Sequence, residues 1–93
     1  MLSFEWDIGK ATGNERKHDA TFDEASTVFA DPLSMVIPDP LHSENEERFI
    51  LIGNSHKGRI LTVVHIERVD SIRIISARKA TKNERSYYES NTE

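Results

Sequence analysis

The spacing of apolar residues divides this chain into a helical first part and a strand-rich second part. SFEW (3–6) reads as a short strand. Asp7 follows as an N-cap, a side chain that accepts from exposed N–H groups, for a helix running to about His18. Gly9 and Gly13 each weaken that helix by up to about 1 kcal/mol relative to alanine, so it depends on packing. HDAT (18–21) ends it, and Asp19 tolerates left-handed backbone better than most residues. Thr21 and Glu24 have capping-box spacing, which starts a second helix near Phe22. Phe22, Ala25, Val28 and Phe29 form its apolar stripe, and Asp31-Pro32 stops it. LSMVI (33–37) reads as a strand and 38–47 as a proline-rich acidic loop.

Three segments rich in β-branched residues follow: RFILIG (48–53), RILTVVHIE (59–67) and SIRIISAR (71–78). Thr81 and Glu84 repeat the capping-box spacing, so a short last helix should run from Lys82 to about Ser90. The expected fold is one α+β domain over 1–93. It has a small, largely antiparallel sheet, two N-terminal helices packed on one face and a short C-terminal helix.

A two-residue turn that sets Arg68 opposite Ser71 would pair positions summing to 139: His65 with Ile74, Val63 with Ser76, Leu61 with Arg78. Arg59 would then share a face and an end with Arg78, with His65 roughly 13 Å along and Glu67 farther still. A one-residue slip would reverse the faces. Both faces are apolar: Leu61, Val63, Ile72 and Ile74 point one way, Ile60, Val64, Ile66 and Ile75 the other. The last helix is a thin cover for the second face, and any remainder would be a partner-sized apolar patch.

Charge adds a second division. Residues 1–47 carry 3 Lys/Arg against 11 Asp/Glu, a net −8, whereas 48–93 carry 9 against 5, a net +4. Either the halves attract each other within the fold, or the basic half meets a polyanion. Cysteine is absent, which excludes disulfides and thiolate chemistry. No apolar run approaches the roughly 20 residues of a membrane span. No secretory signal is visible, so the expected location is cytoplasmic. There is no phosphate-cradling glycine loop, and the four histidines (18, 42, 56, 65) lack HExxH spacing. His42 and His56 belong to loops, and His65 reads as a structural strand residue. Neither metal nor cofactor is expected. Trp6 reads as core packing, and only one of Tyr87 and Tyr88 can face the core.

Several short stretches carry a resemblance: FEWD (4–7), Lys10, Asn14, KH (17–18), TFDEASTVFADP (21–32), GR (58–59) and RIISARKAT with a following ER from Arg73. Together they resemble the BrnT family, toxins of bacterial type II toxin–antitoxin systems with a RelE-like ribonuclease fold. The usual glycine after KH is Asp19 here. The resemblance implies RNA cleavage without metal. It also implies inhibition by a cognate ribbon-helix-helix (BrnA-like) antitoxin, through which the complex would bind operator DNA and repress its own operon. It points to GR and SAR, hence to Arg59 and Arg78 as stabilisers of the charge that builds on phosphate oxygens when a ribose 2′-OH attacks. Lys17 and His18 are candidates for proton transfer or RNA contact, although a cation there also suits the helix C-terminus. Lys79, Lys82, Arg85, Arg73 and Tyr87 are the candidate RNA contacts. The competing reading is a non-catalytic module that docks a protein partner within a DNA-binding regulatory complex.

Overall fold

The chain turns helical where its capping residues said it would. In the computed structural model, which describes residues 2–42 and 45–91, Asp7 accepts from the Lys10 N–H at 2.9 Å and Thr21 from the Glu24 N–H at 3.0 Å. These caps start α1 (Ile8–His18) and α2 (Phe22–Val28). Asp19 ends α1 in the left-handed region at φ 54°, with its N–H on the Glu15 carbonyl. The strands are β1 (Ser3–Glu5), β2 (Met35–Pro38), β3 (Arg48–Asn54), β4 (Ile60–Glu67) and β5 (Ser71–Lys79), and α3 spans Lys82–Asn91. A 3-10 turn, Pro40–His42, interrupts the loop after β2.

The sheet order is β1-β5-β4-β3-β2, with β1 parallel to β5 and all other pairs antiparallel. The fold is therefore α+β, as expected. α1 and α2 cover one face, where Phe22, Val28, Leu51, Leu61, Val63 and Ile74 form the core. Trp6 meets Phe22 edge-on at 5.9 Å. Gly53 lets α2 approach closely, since a Cβ there would sit 2.9 Å from Val28. α3 lies on the other face near Thr62 and buries only Tyr88, so it is indeed a partial cover: Ile50, Val64 and Ile75 stay half-buried and Ile37 exposed. At the far end of that face Glu5, Arg73, Ile66 and Arg48 form one cross-strand row, in which Ile66 is buried between the two arginine positions.

The β4–β5 register departs from the expected one halfway along. The turn is as read: the Arg68 N–H donates to the Ser71 carbonyl at 2.8 Å, and His65 faces Ile74. Between Val64 and His65 the pairing then shifts by one, leaving Ile75 as an extra residue in β5. Beyond this bulge Val63 faces Ala77, Thr62 faces Arg78 and Leu61 faces Lys79. The bulge turns over the second half of β5. Arg78 goes to the α3 face, and Lys79 takes the place that a regular ladder would give Arg78. The expected sharing of a face by Arg59, His65 and Arg78 is thus corrected.

β1 pairs with β5 only as far as Arg73, which leaves the outer edge of β5 open beyond it. Asn14 fills that edge from α1. Its amide nitrogen donates to the Ala77 carbonyl at 2.8 Å and its oxygen accepts from the Ala77 N–H at 3.0 Å, as a neighbouring strand would. The same nitrogen donates to the Ala20 carbonyl at 2.9 Å, tying the α1–α2 connection to the sheet. Asn14→Ala would leave three buried backbone groups unpaired at this edge. We expect a loss of about 2–4 kcal/mol, read as a lower urea midpoint.

Candidate active site

The GR pair occupies the β3–β4 hairpin. Gly58, at φ 77°, closes the turn with its N–H on the Ser55 carbonyl at 2.9 Å, a left-handed position suited to glycine. Arg59 follows directly and points to the α1/α2 side. Its Nε donates to Glu24 Oε2 at 2.9 Å, and its Nη2 donates to Glu24 Oε1 and to the Asp19 carbonyl. Ser55 Oγ donates to the same Glu24 Oε2 at 2.7 Å. The Arg59 hydrogen bonds hold the Glu24 carboxyl below its ordinary value despite burial, with Ser55 contributing.

A groove of about 440 Å³ opens beside this pair, lined by Gly58, Arg59, Ile60, Lys79, Arg85 and Glu89. It brings together three candidate cations from three elements: Arg59 from the hairpin, Lys79 from the end of β5 and Arg85 from α3. Lys82 lies on the same flank of α3, three residues before Arg85. The C-terminus of α1, with exposed Lys17 and half-buried His18, joins this end because Arg59 holds the Asp19 carbonyl immediately after His18.

Other candidates lie elsewhere. Arg78 makes a two-pronged pair with Glu84 on α3, at 2.7 and 2.9 Å. Arg59 and Arg78 therefore project to opposite faces of the sheet, each against its own carboxylate. Arg73 is six residues along β5 from Lys79, roughly 20 Å at strand rise, and pairs with Glu5 at 3.8 Å. Tyr87 is exposed on the flank of α3 away from Arg85, whereas Tyr88 faces inward and donates to Asp31 at 2.6 Å. Burial and that bond push the Tyr88 hydroxyl up to about 12. His65 is fully buried between Phe29 and Phe49, and burial lowers its basicity. Glu67 Oε1 lies 3.5 Å from its Nε2, without the geometry of a hydrogen bond. His56 is exposed, with its backbone N–H on Thr27, and the side chain of His42 lies outside the described residues. No cluster of three or more His, Asp or Glu suited to a metal occurs among the described residues.

Sequence reasoning passed over three carboxylates. Glu24 and Glu84 were legible only as caps. Yet Glu24 is four residues from Val28, which sets its carboxylate beside the apolar stripe. Asp31 was legible only as a helix stop. It accepts from Leu33 N–H, Asn54 N–H and Tyr88, and although burial opposes ionisation these bonds keep its carboxyl below the ordinary range.

A fold that sets a basic groove at one end of a five-stranded sheet suits a small protein acting on phosphate polyanions. The family model for the ribonuclease toxin BrnT of type II toxin–antitoxin systems matches residues 6–84, and the chain belongs to that family. The crystal structure of the Brucella abortus ribonuclease toxin BrnT superposes with a TM-score of 0.68. At 21% identity, the match covers 88% of this chain and 100% of that one. No curated protein sequence matches.

Glu84 yields a pH prediction. Arg78 foremost, then the Thr81 N–H and Thr62, overcome burial and lower its carboxyl to about 2 from an ordinary 4.5. A lowered folded-state value stabilises the protein above pH 4.5, and this stabilisation is lost as pH falls towards 2. Glu84→Gln should lower stability at pH 7 by at most about 3 kcal/mol, less for screening at the partly exposed Arg78. Chemical unfolding at a series of pH values should show the gap to the parent protein closing between 4.5 and 2.

Proposed function

We propose that this chain is a toxin whose ribonuclease activity is a metal-independent endonucleolytic cleavage in the groove between the β3–β4 hairpin, the end of β5 and α3. The observation that carries this reading is the convergence of Arg59, Lys79 and Arg85 on one open groove. Three cations line the groove against one lining carboxylate, Glu89, a donor set for phosphate rather than for a metal ion, with the Arg59 charge partly offset by Glu24 behind it. RNA supplies its own nucleophile: the ribose 2′-OH attacks the adjacent phosphorus, the P–O5′ bond breaks and a cyclic phosphate remains. Charge builds on the non-bridging oxygens, where Arg59, Lys79 and Arg85 would face it. Lys17 and His18, at the C-terminus of α1 beside the Asp19 carbonyl that Arg59 holds, are the candidates for moving the 2′-OH and 5′-oxygen protons. Lys82 extends the cationic flank along the strand. Arg78, turned to α3 and paired with Glu84, supports the helix that carries Arg85.

Cleavage of translated RNA would inhibit protein synthesis in the cytoplasm. The neutralising partner would be a cognate ribbon-helix-helix antitoxin, which would bring the complex to operator DNA and repress its operon. No helix among the described residues is long and apolar enough to cross a membrane.

Purified protein and a labelled single-stranded RNA test the groove. The Lys79→Ala, Arg85→Ala double variant should cleave at least tenfold more slowly and lose about 1.4 from the slope of log affinity against log salt, the value for two phosphate contacts. Arg73→Ala, at the far end of β5, should leave both within twofold. Equal losses in the two proteins would move the site away from the groove.

A further inference from the structure

We infer that Glu24 is a positioning residue for Arg59, holding the guanidinium so that its Nη1 edge faces the RNA groove. This rests on the cleavage site proposed above. The two T-x-x-E sequences of this chain are put to different uses. In α3 the box is complete: Thr81 accepts from the Glu84 N–H, and Glu84 Oε1 accepts in return from the Thr81 N–H at 2.8 Å. In α2 only the threonine half is made. Glu24 turns inward and spends both carboxylate oxygens on Arg59 and Ser55. Its side chain is 1% exposed, whereas that of Arg59 is 26% exposed and lines the groove, so the pair spans from core to surface.

The atoms used fix what Arg59 can still offer. Nε and Nη2 are engaged by Glu24 and the Asp19 carbonyl, while Nη1 makes no hydrogen bond among the described residues and lies 3.8 Å from Asp19 Oδ2. A flexible arginine would sample many placements. This one is locked at its inner edge to α2 and at Nη2 to the α1 terminus, and its partner Glu24 is fastened to the hairpin by Ser55. Holding a carboxylate this deep is weak as a device for stability, because apolar side chains of similar volume stabilise as well or better. It is effective as a way of fixing one nitrogen. Glu24 also offsets the Arg59 charge. The pair then attracts a ground-state phosphodiester weakly and contributes chiefly when a second negative charge develops, so the effect should fall on kcat rather than KM.

The experiment is a double-mutant cycle with a labelled single-stranded oligoribonucleotide, on variants whose folding is checked by urea unfolding. Glu24→Gln should lower kcat at least tenfold with KM within threefold, and Arg59→Ala should lower it as much or more. Glu24→Gln added to Arg59→Ala should cost less than a further twofold, because Glu24 acts only through Arg59. Additive losses, or a folded Glu24→Gln protein with kcat within twofold of the parent, would overturn the inference. Arg59→Lys keeps a cation beside Glu24 without the fork, and covers the case in which Glu24→Gln does not fold. It should lose kcat as Arg59→Ala does, and parental kcat in that variant would also overturn the inference. If Arg59→Ala itself cleaves at the parental rate, the cleavage site and the inference fall together. A cleavage-defective Arg59→Ala with additive Glu24→Gln removes only the inference.

Discussion

One extra residue in β5 governs where the charged side chains of this molecule go. Without the bulge at Ile75, Arg78 would stand beside Arg59 beneath α1 and α2, and Lys79 would point to α3. With it, Ile72 and Ile74 before the bulge and Ala77 after it all serve the same core. An unbroken alternation would have driven the Arg78 guanidinium towards the buried side. The bulge thus resolves a conflict between an apolar pattern that changes phase at Ile75-Ser76 and a sheet that needs one dry face. The edge of β5 opens past Arg73, just before the bulge, and Asn14 closes it beyond the bulge at Ala77.

The two capping boxes show the same T-x-x-E spacing serving different ends. Glu84 completes its cap and also takes Arg78 and Thr62, so the start of α3 is fastened to the sheet. Glu24 gives up half of its cap for the hairpin. Around it α2 grips that hairpin at further points: Thr27 accepts from the His56 N–H, and Asp31 beyond the helix accepts from the Asn54 N–H. The loop that carries Gly58 and Arg59 is thereby held by hydrogen bonds from a packed helix, which suits a groove that must keep its shape.

Much of this was legible in the sequence because local rules decide it. Asp7, Thr21 and Thr81 mark the helix starts, Asp31-Pro32 the stop, and the Val69-Asp70 turn the first pairs of β4 with β5. The bulge left one trace in the sequence, the change of phase at Ile75-Ser76, but a regular ladder across β4 and β5 ignores it, and only the burial of Ala77 shows which side the second half of β5 takes. That one omission misplaced Arg78 and undervalued Lys79. Arg59 was legible from GR, but its dependence on Glu24 was hidden, because a glutamate three residues after a threonine reads first as a cap.

The division of charge along the chain has a structural answer that combines both of its readings. Arginines of the basic half are met by carboxylates of the acidic half: Arg59 by Glu24 and Asp19, Arg68 by Glu5 and Glu46, Arg73 by Glu5. These pairs bridge the two halves and cancel their own far field. Lys79, Lys82 and Arg85 remain exposed at one end of the sheet, so the surplus of positive charge is concentrated there rather than spread over the basic half. A protein of net charge −4 can in this way repel polyanions over most of its surface and still admit one along a single groove. At the proposed cleavage site, orientation of the RNA would follow from where cations are left unmatched among the described residues.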